Sequence, residues 1–295
     1  MSARYAALEA GGTKFVCAVG DASGKILAEA RIATTTPAQT LGAVVDFFAS
    51  HQHGGYSGMG IAAFGPLDLH PASPTFGRIR ASPKAQWSQV DLVAPFATRF
   101  ACPVAIDTDV NAAALAEAAL GAGRECNTVV YITVGTGIGG GAVIGGRTLR
   151  GAQHPEMGHI RVARHPFDRD FPGVCPFHGE CLEGLASGPA LHARYGVAPE
   201  LLPPGHAAFT IVSHYLAQLA VNVILLLAPQ RVIFGGGVME RAGLLDAVRA
   251  ATGQLLNGYA GLGASADALT PLIVAPGLGT RAGITGALRL ALGAR

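Results

Sequence analysis

One plan of elements occurs twice in this chain, about half a chain apart. Apolar runs at residues 5–10, 15–20 and 26–34 are separated by a glycine turn before Lys14 and by the turn Asp21-Ala-Ser-Gly24. Residues 128–150 repeat the plan: a run at 128–134, a glycine turn at 135–141, a run at 142–144, Gly145-Gly146, and a run at 147–150. Each stretch has the pattern of a three-stranded meander. A supersecondary unit present twice implies two lobes of like topology.

Helix and strand then alternate behind each meander. The spacing predicts helices at 38–50, 90–100 and 111–120 with strands at 58–64 and 104–108 in the first half. It predicts helices at 188–195, 207–227, 240–256 and 281–292 with strands at 231–234 and 272–275 in the second. That alternation implies an α/β chain, each lobe a mixed sheet with flanking helices. The expected division is 1–115 for the N-terminal lobe and 116–280 for the C-terminal lobe, with the last helix, 281–295, packing back on the first.

Half of the 295 residues are hydrophobic and 14% are charged, enough for a large core and against disorder. A net charge of +2 without basic runs leaves no electrostatic footprint for nucleic acid. The most apolar run, 220–228, is too short for a bilayer, contains Asn222, and is expected to be a buried helix. Five cysteines, an odd number, and no signal-peptide pattern point to a reducing cytoplasm.

Two cysteines belong to a separate pattern. His159, Cys175, His178 and Cys181 bring two imidazoles and two thiols within 23 residues, the last three as Cys-x2-His-x2-Cys. This donor set suits zinc, and a filled four-ligand shell suits a structural ion. Buried thiols beside a surface histidine are the plain alternative. Glu156 and Glu183 adjoin the ligands, so an ion there would also place acidic groups for a polar partner.

Glycine clusters end three predicted strands: Glu9-Ala-Gly11-Gly12-Thr13-Lys14, Gly135-Thr136-Gly137 and Gly235-Gly236-Gly237-Val238-Met239. Without Cβ atoms, their backbone N–H groups can approach an anion, and Thr13, Thr136 and Lys14 add donors. The third cluster directly precedes a predicted helix, whose positive end could face a nucleotide. None matches the P-loop or the dinucleotide-binding pattern. A fourth segment, Asp107-Thr-Asp109-Val-Asn111, joins a strand to a helix. An aspartate there can accept a proton, or Asp109 or Thr108 can cap the helix; spacing leaves both open.

Taken together, Glu9-Ala-Gly-Gly-Thr-Lys14, Asp109-Val-Asn111-Ala-Ala-Ala-Leu-Ala-Glu117, Gly135-Thr-Gly137, Glu156-Met-Gly-His159 and Gly235-Gly-Gly237 resemble the ROK family of sugar kinases. Ser82-Pro-Lys84 and His154-Pro-Glu-Met-Gly-His159 with the Cys-x2-His-x2-Cys hook resemble its zinc-containing bacterial fructokinase branch. The resemblance implies an actin-like, hexokinase-like fold holding ATP between lobes that close to exclude water. It implies ATP-dependent phosphorylation of a hexose, foremost D-fructose to fructose 6-phosphate, with Mg2+ and a structural zinc. Asp109 becomes the general base. Glu156, His159, Glu183 and Asn111 become sugar-binding residues, with Gly65, Pro66 and Asp68 shaping the sugar site. ATP falls to Gly11, Gly12, Thr13, Lys14, Gly135, Thr136, Gly137, Pro189 and Gly235–Met239. Glu9 stands where the family carries Asp, near magnesium.

The resemblance further implies a homodimer acting on a small sugar, with no nucleic-acid or membrane partner. Glucose, mannose and N-acetylhexosamines are alternative substrates. Sugar-sensing repressors of the same family place a helix-turn-helix ahead of the first glycine turn, where this chain begins its first strand at Tyr5. A zinc-stabilised nucleotide-binding protein without catalysis is a third reading.

Overall fold

Alternation along the strands decides how the first sheet is covered. The computed structural model describes residues 3–82, 84, 86–203, 205–261 and 265–294. In chain order the first elements are β1 (Arg4–Ala10), β2 (Lys14–Asp21), β3 (Ile26–Ala33), α1 (Pro37–Ser50), β4 (Gly58–Ala63), α2 (Ala94–Phe100), β5 (Val104–Thr108) and α3 (Asp109–Leu120). The sheet order is β3-β2-β1-β4-β5, antiparallel through the meander and parallel from β1 to β5.

Ala6, Leu8, Phe15, Cys17, Met59 and Ile61 face one side, packed with Phe48 of α1, Phe96 and Phe100 of α2, and Trp87. Ala7, Val16, Ala18 and Ala62 face the other, under Ile284, Ala287, Leu288 and Ala291 of the last helix. That second face is built of small residues because the helix lies directly on the strands. A Cβ on Gly60 would sit 1.9 Å from the Ala287 carbonyl oxygen.

The second half continues with β6 (Thr128–Val134), β7 (Ile138–Ile144), β8 (Arg147–Thr148), α4 (Leu182–Ala186), α5 (Gly188–Tyr195), α6 (Ala207–Leu227), β9 (Arg231–Gly235), α7 (Leu244–Leu256), α8 (Ala266–Leu269), β10 (Ile273–Val274) and α9 (Ala282–Gly293). From its meander edge the second sheet runs β8-β7-β6-β9-β10. Pairing is antiparallel at β6/β7 and parallel at β6/β9 and β9/β10. Renumbered from its own first strand, this is the order of the first sheet, so the duplication extends to topology. α6 is long and apolar enough to cross a membrane by length and composition. Twelve of its residues are buried, from Ala208 to Ile224, as expected of a core helix.

The chain divides into two compact units: Met1–Ala116 with Thr148–His154 and Thr280–Arg295, and Glu117–Arg147 with Pro155–Gly279. The sequence reading leaves Thr148–His154 in the second lobe. In the structure this strap joins the first unit: the Leu149 carbonyl accepts from Asn111 Nδ2 at 3.4 Å, and His154 Nε2 accepts from the Leu67 N–H at 2.9 Å. The predicted strand at 147–150 therefore stops at Thr148.

Other boundaries shift for local reasons. α2 starts at Ala94, not residue 90, because Asp91 Oδ1 accepts from the N–H groups of Val93 and Ala94 at 2.9 Å. The glycine turn after β6 is shorter than expected. Gly139, Gly140 and Gly141 lie in β7, paired with Thr133, Ile132 and Tyr131. Gly140 lacks a side chain where Met157 packs, a Cβ there falling 2.5 Å from its sulfur.

Glu117, in the Ala-rich α3, has the look of a surface residue in sequence, yet it is fully buried. Its Oε2 accepts from the N–H groups of Ala122 at 2.7 Å and Gly277 at 3.0 Å, and Oε1 from that of Leu278 at 2.8 Å. One carboxylate thus fastens the segment after β10 to the end of α3. Hydrogen bonds to a charged group contribute about 1.5–3 kcal/mol each, and orphaning buried donors adds cost. Glu117→Ala is expected to lose about 3 kcal/mol or more of stability, measured by urea unfolding. A loss within experimental error would show that the carboxylate is dispensable.

Candidate functional site

The four predicted metal ligands converge. The ligand atoms of His159, Cys175, His178 and Cys181 all lie within 4.8 Å of one another. His159 Nδ1 is 3.5 Å from Cys181 Sγ and 3.8 Å from Cys175 Sγ, and His178 Nδ1 is 3.7 Å from Cys175 Sγ. Tetrahedral zinc, with bonds of ~2.3 Å to sulfur and ~2.0–2.1 Å to nitrogen, spaces nitrogen and sulfur ligands about 3.6 Å apart and all its ligand atoms within about 3.3–3.8 Å. The donor set and its spacing therefore fit a four-coordinate structural zinc.

The hook is shaped by reciprocal backbone bonds, Gly179 N–H to the Cys175 carbonyl at 2.8 Å and Cys175 N–H to that of Gly179 at 3.2 Å. Gly179 takes φ +60° to close this turn, a conformation glycine adopts freely. Beneath it, Arg194 Nε and Nη2 grip the two carboxylate oxygens of the buried Asp168 at 2.8 and 3.0 Å, and Tyr215 donates its hydroxyl at 2.7 Å. Sequence reasoning misses this clamp, whose members are scattered over 47 residues.

With Nδ1 of His159 turned to the sulfurs, Nε2 points away, 4.0 Å from Glu156 Oε2 and 4.0 Å from Glu183 Oε1. The metal ligands and the two acidic residues thus form one group. Glu183 reaches further: its Oε2 accepts from the Ile138 N–H at 2.9 Å, and a Cβ on Gly137 would lie 2.6 Å from that oxygen.

Two of the three glycine turns meet at the end of β6. Gly236 adopts φ +91°, with a would-be Cβ 2.4 Å from the Val134 carbonyl oxygen. The Gly188 N–H at the start of α5 donates to the Gly135 carbonyl at 2.8 Å, which brings Pro189, exposed on the first turn of α5, beside the 135–137 turn. Thr136 is exposed there. Gly235 and Val238 are buried, so Val238 serves packing and only its backbone is on offer. Contrary to expectation, the third turn does not run straight into a helix. Gly237–Glu240 forms a single 3-10 turn ending before Arg241, and α7 begins only at Leu244 behind Gly243. A helix dipole aimed from this turn is therefore not part of the site.

In the first unit, Gly11, Gly12 and Thr13 form the hairpin between β1 and β2, with the Gly11 N–H donating to the Lys14 carbonyl at 3.0 Å. Lys84 Nζ donates to the Gly12 carbonyl, while Pro83 of the same motif lies outside the described residues. Lys14 is exposed.

At the β5–α3 junction the cap falls to Thr108. Thr108 Oγ1 accepts from the Asn111 N–H at 3.1 Å and so caps the helix, and Asp109 is its first residue. Asp107, fully buried, is neutralised by Arg150, whose Nη2 and Nε lie 2.6 and 3.1 Å from Oδ2. Asp109 remains partly exposed and forms no ion pair among the described residues; its Oδ1 accepts from the Val110 N–H at 2.9 Å. Burial raises its pKa to about 6. Glu9 is raised to about 7, first by burial and then by the charge of Asp109, with Lys14 opposing. A buried carboxylate whose charge is further disfavoured by a neighbouring carboxylate is a group suited to a cation.

Two expected sugar contacts are occupied internally. Asn111 is fully buried, and its Nδ2 donates to Asp107 at 2.9 Å as well as to the Leu149 carbonyl. Asp68 is buried and accepts from the hydroxyls of Ser73 and Thr75, both at 2.6 Å, and from the His70 N–H at 3.2 Å. Those hydroxyls hold its carboxyl well below the usual range. Asp68 therefore folds the loop that follows Gly65 and Pro66, and Asn111 braces the junction carrying Asp109.

Known proteins match this chain over nearly its whole length. The chain is 48% identical to a fructokinase of Zymomonas mobilis subsp. mobilis, covering 98% of this chain and 97% of that protein. It is 40% identical to a fructokinase of Lactococcus lactis subsp. cremoris, over 90% of each. The crystal structure of a ROK hexokinase from Thermus thermophilus superposes with a TM-score of 0.78 at 28% identity, covering 98% of this chain and 97% of that one. Its two-lobe hexokinase-like fold is the fold described above. The ROK family's own sequence profile matches residues 5–294, and this chain belongs to the ROK family.

Proposed function

We propose that this chain is an ATP-dependent fructokinase that transfers the γ-phosphoryl group of ATP to the C6 hydroxyl of D-fructose. Asp109 takes the hydroxyl proton as the oxygen attacks phosphorus, and ADP leaves. The observation that carries this is the freeing of Asp109. Thr108 caps the helix and Arg150 pairs with Asp107, which leaves Asp109 with the Val110 N–H on Oδ1, no ion pair among the described residues, and a pKa raised by burial to about 6.

Phosphoryl transfer asks for alignment and charge neutralisation rather than covalent help. Backbone N–H groups of Gly135–Gly137 and Gly235–Met239, with Thr136 and the neighbouring Pro189, hold the phosphates and nucleotide; Gly11–Lys14 complete the set. Glu9 stands ready for Mg2+, which when bound neutralises charge on the phosphates. Glu156, Glu183 and Nε2 of His159 bind the sugar hydroxyls, and Gly65 and Pro66 shape their surroundings. Zinc on His159, Cys175, His178 and Cys181 holds the His159 ring and the hook in place. Its shell is filled by protein, which suits a scaffold.

The same reading has the enzyme in the cytoplasm, acting on a free sugar as a homodimer without nucleic-acid or membrane partners. The modest net charge and the buried α6 support the latter part. The homodimer rests on family resemblance. A panel of hexoses in a coupled ADP-release assay is expected to give fructose the highest kcat/KM, ahead of glucose, mannose and N-acetylhexosamines. Absence of phosphorylation of any hexose would sink the kinase reading, and a preference for another hexose would sink only the sugar assignment.

A further inference from the structure

The zinc hook and the 135–138 turn are joined by one side chain. Glu183 sits two residues after the ligand Cys181, at the start of α4. Its Oε1 lies 4.0 Å from Nε2 of His159, and its Oε2 accepts from the Ile138 N–H at 2.9 Å. Gly137 has no side chain where that oxygen lies, a Cβ there falling 2.6 Å away. The contact is reinforced from both flanks. Next to His159, Gly158 packs so tightly that a Cβ would meet the Ile138 carbonyl oxygen at 1.7 Å, and beyond α4 the Gly188 N–H bonds to the Gly135 carbonyl. These three contacts, from Gly158, Glu183 and Gly188, come from residues flanking the 159–181 segment that carries the four metal ligands.

We propose that Glu183 is a positioning residue for the nucleotide as well as a sugar ligand. Through its bond to the Ile138 N–H it transmits the order imposed by zinc to the 135–138 turn, so that metal occupancy governs ATP affinity. The inference rests on the reading that this turn holds the ATP phosphates. A phosphate-binding turn works by presenting N–H groups already aimed, and a turn that must be ordered on binding weakens the interaction by that ordering cost. Coupling between two sites is also reciprocal, so nucleotide must tighten zinc by the factor by which zinc tightens nucleotide.

The test is binding of a hydrolysis-resistant ATP analogue in the absence of sugar, followed calorimetrically, together with amide exchange across residues 135–138. Four forms are compared: wild type and Glu183→Ala, each loaded with zinc and stripped by chelation. Stripping wild type is expected to weaken the analogue about 10-fold, within the ~5–150-fold span of site-to-site couplings, and to speed exchange at 135–138. Zinc-loaded Glu183→Ala is expected to show the same weakening with its metal retained. Stripping that variant should add little, because the link is already cut.

If zinc-loaded Glu183→Ala binds the analogue like wild type, or if the two losses simply add, the proposal is overturned. Unchanged exchange at 135–138 after stripping overturns it as well. Should stripped protein unfold, the zinc-loaded variant still decides the matter. Should the analogue bind wild type without protecting 135–138, the nucleotide assignment of the turn fails, while the exchange comparison still reports whether zinc orders it.

Discussion

Asp109→Asn is expected to lower kcat by about 10²–10⁴-fold, the usual contribution of a general base, while leaving hexose affinity nearly unchanged. The asparagine preserves shape and can still accept from the Val110 N–H, so the loss isolates proton acceptance. Helix capping stays with Thr108, and the variant should fold. The working form of Asp109 is the carboxylate, with a pKa raised by burial to about 6. Activity should therefore hold at higher pH and fall as pH drops through about 6. Glu9, raised to about 7 in part by the charge of Asp109, titrates in the same range, so the acid limb belongs to the pair. Kinetics in an ADP-release assay, with calorimetric hexose binding to the variant, measure both effects. Loss of sugar binding with the turnover would recast Asp109 as a structural residue.

Cys175→Ser is expected to abolish stoichiometric zinc and to destabilise the second unit. Serine replaces a thiolate with a neutral, harder oxygen at a position already buried. Structural zinc contributes ~10–16 kcal/mol in small peptide domains that have no other core. Here the hook rests on α4, α5 and α6, which keep a core of their own, so only part of that is at stake. A loss of about 4 kcal/mol would lower the thermal midpoint by ~8–16 °C, at ~2–4 °C per kcal/mol for a body of this size. The His159 ring, no longer fixed through Nδ1, would also raise KM for the sugar. Metal analysis by mass spectrometry and a thermal melt check this. A variant without zinc that melts and turns over like wild type would refute the scaffold role.

Local signals carried much of this architecture. Strand alternation and glycine turns make the duplicated meander visible, and the short Cys-x2-His-x2-Cys spacing exposes three ligands of one loop. What escapes is what only tertiary contact decides. Glu117 has the sequence signature of a solvated helix residue, and its three backbone partners lie up to 161 residues away. The strap at Thr148–His154 follows a strand of one unit yet belongs to the other, because Arg150 answers a buried Asp107. Asn111 and Asp68 share residue type with sugar ligands, and only the structure shows the internal bonds that Asn111 Nδ2 and the Asp68 carboxylate make. Thr108 and Asp109 compete equally for the cap in sequence, and one hydroxyl at 3.1 Å decides between them.

The most direct measurement is a crystal structure of the zinc-loaded protein with fructose and a hydrolysis-resistant ATP analogue. A carboxylate oxygen of Asp109 should lie about 3 Å from the C6 hydroxyl, with the phosphates against the N–H groups of the 135–137 turn. A complex in which the sugar binds with Asp109 out of reach of every hydroxyl would contradict the account.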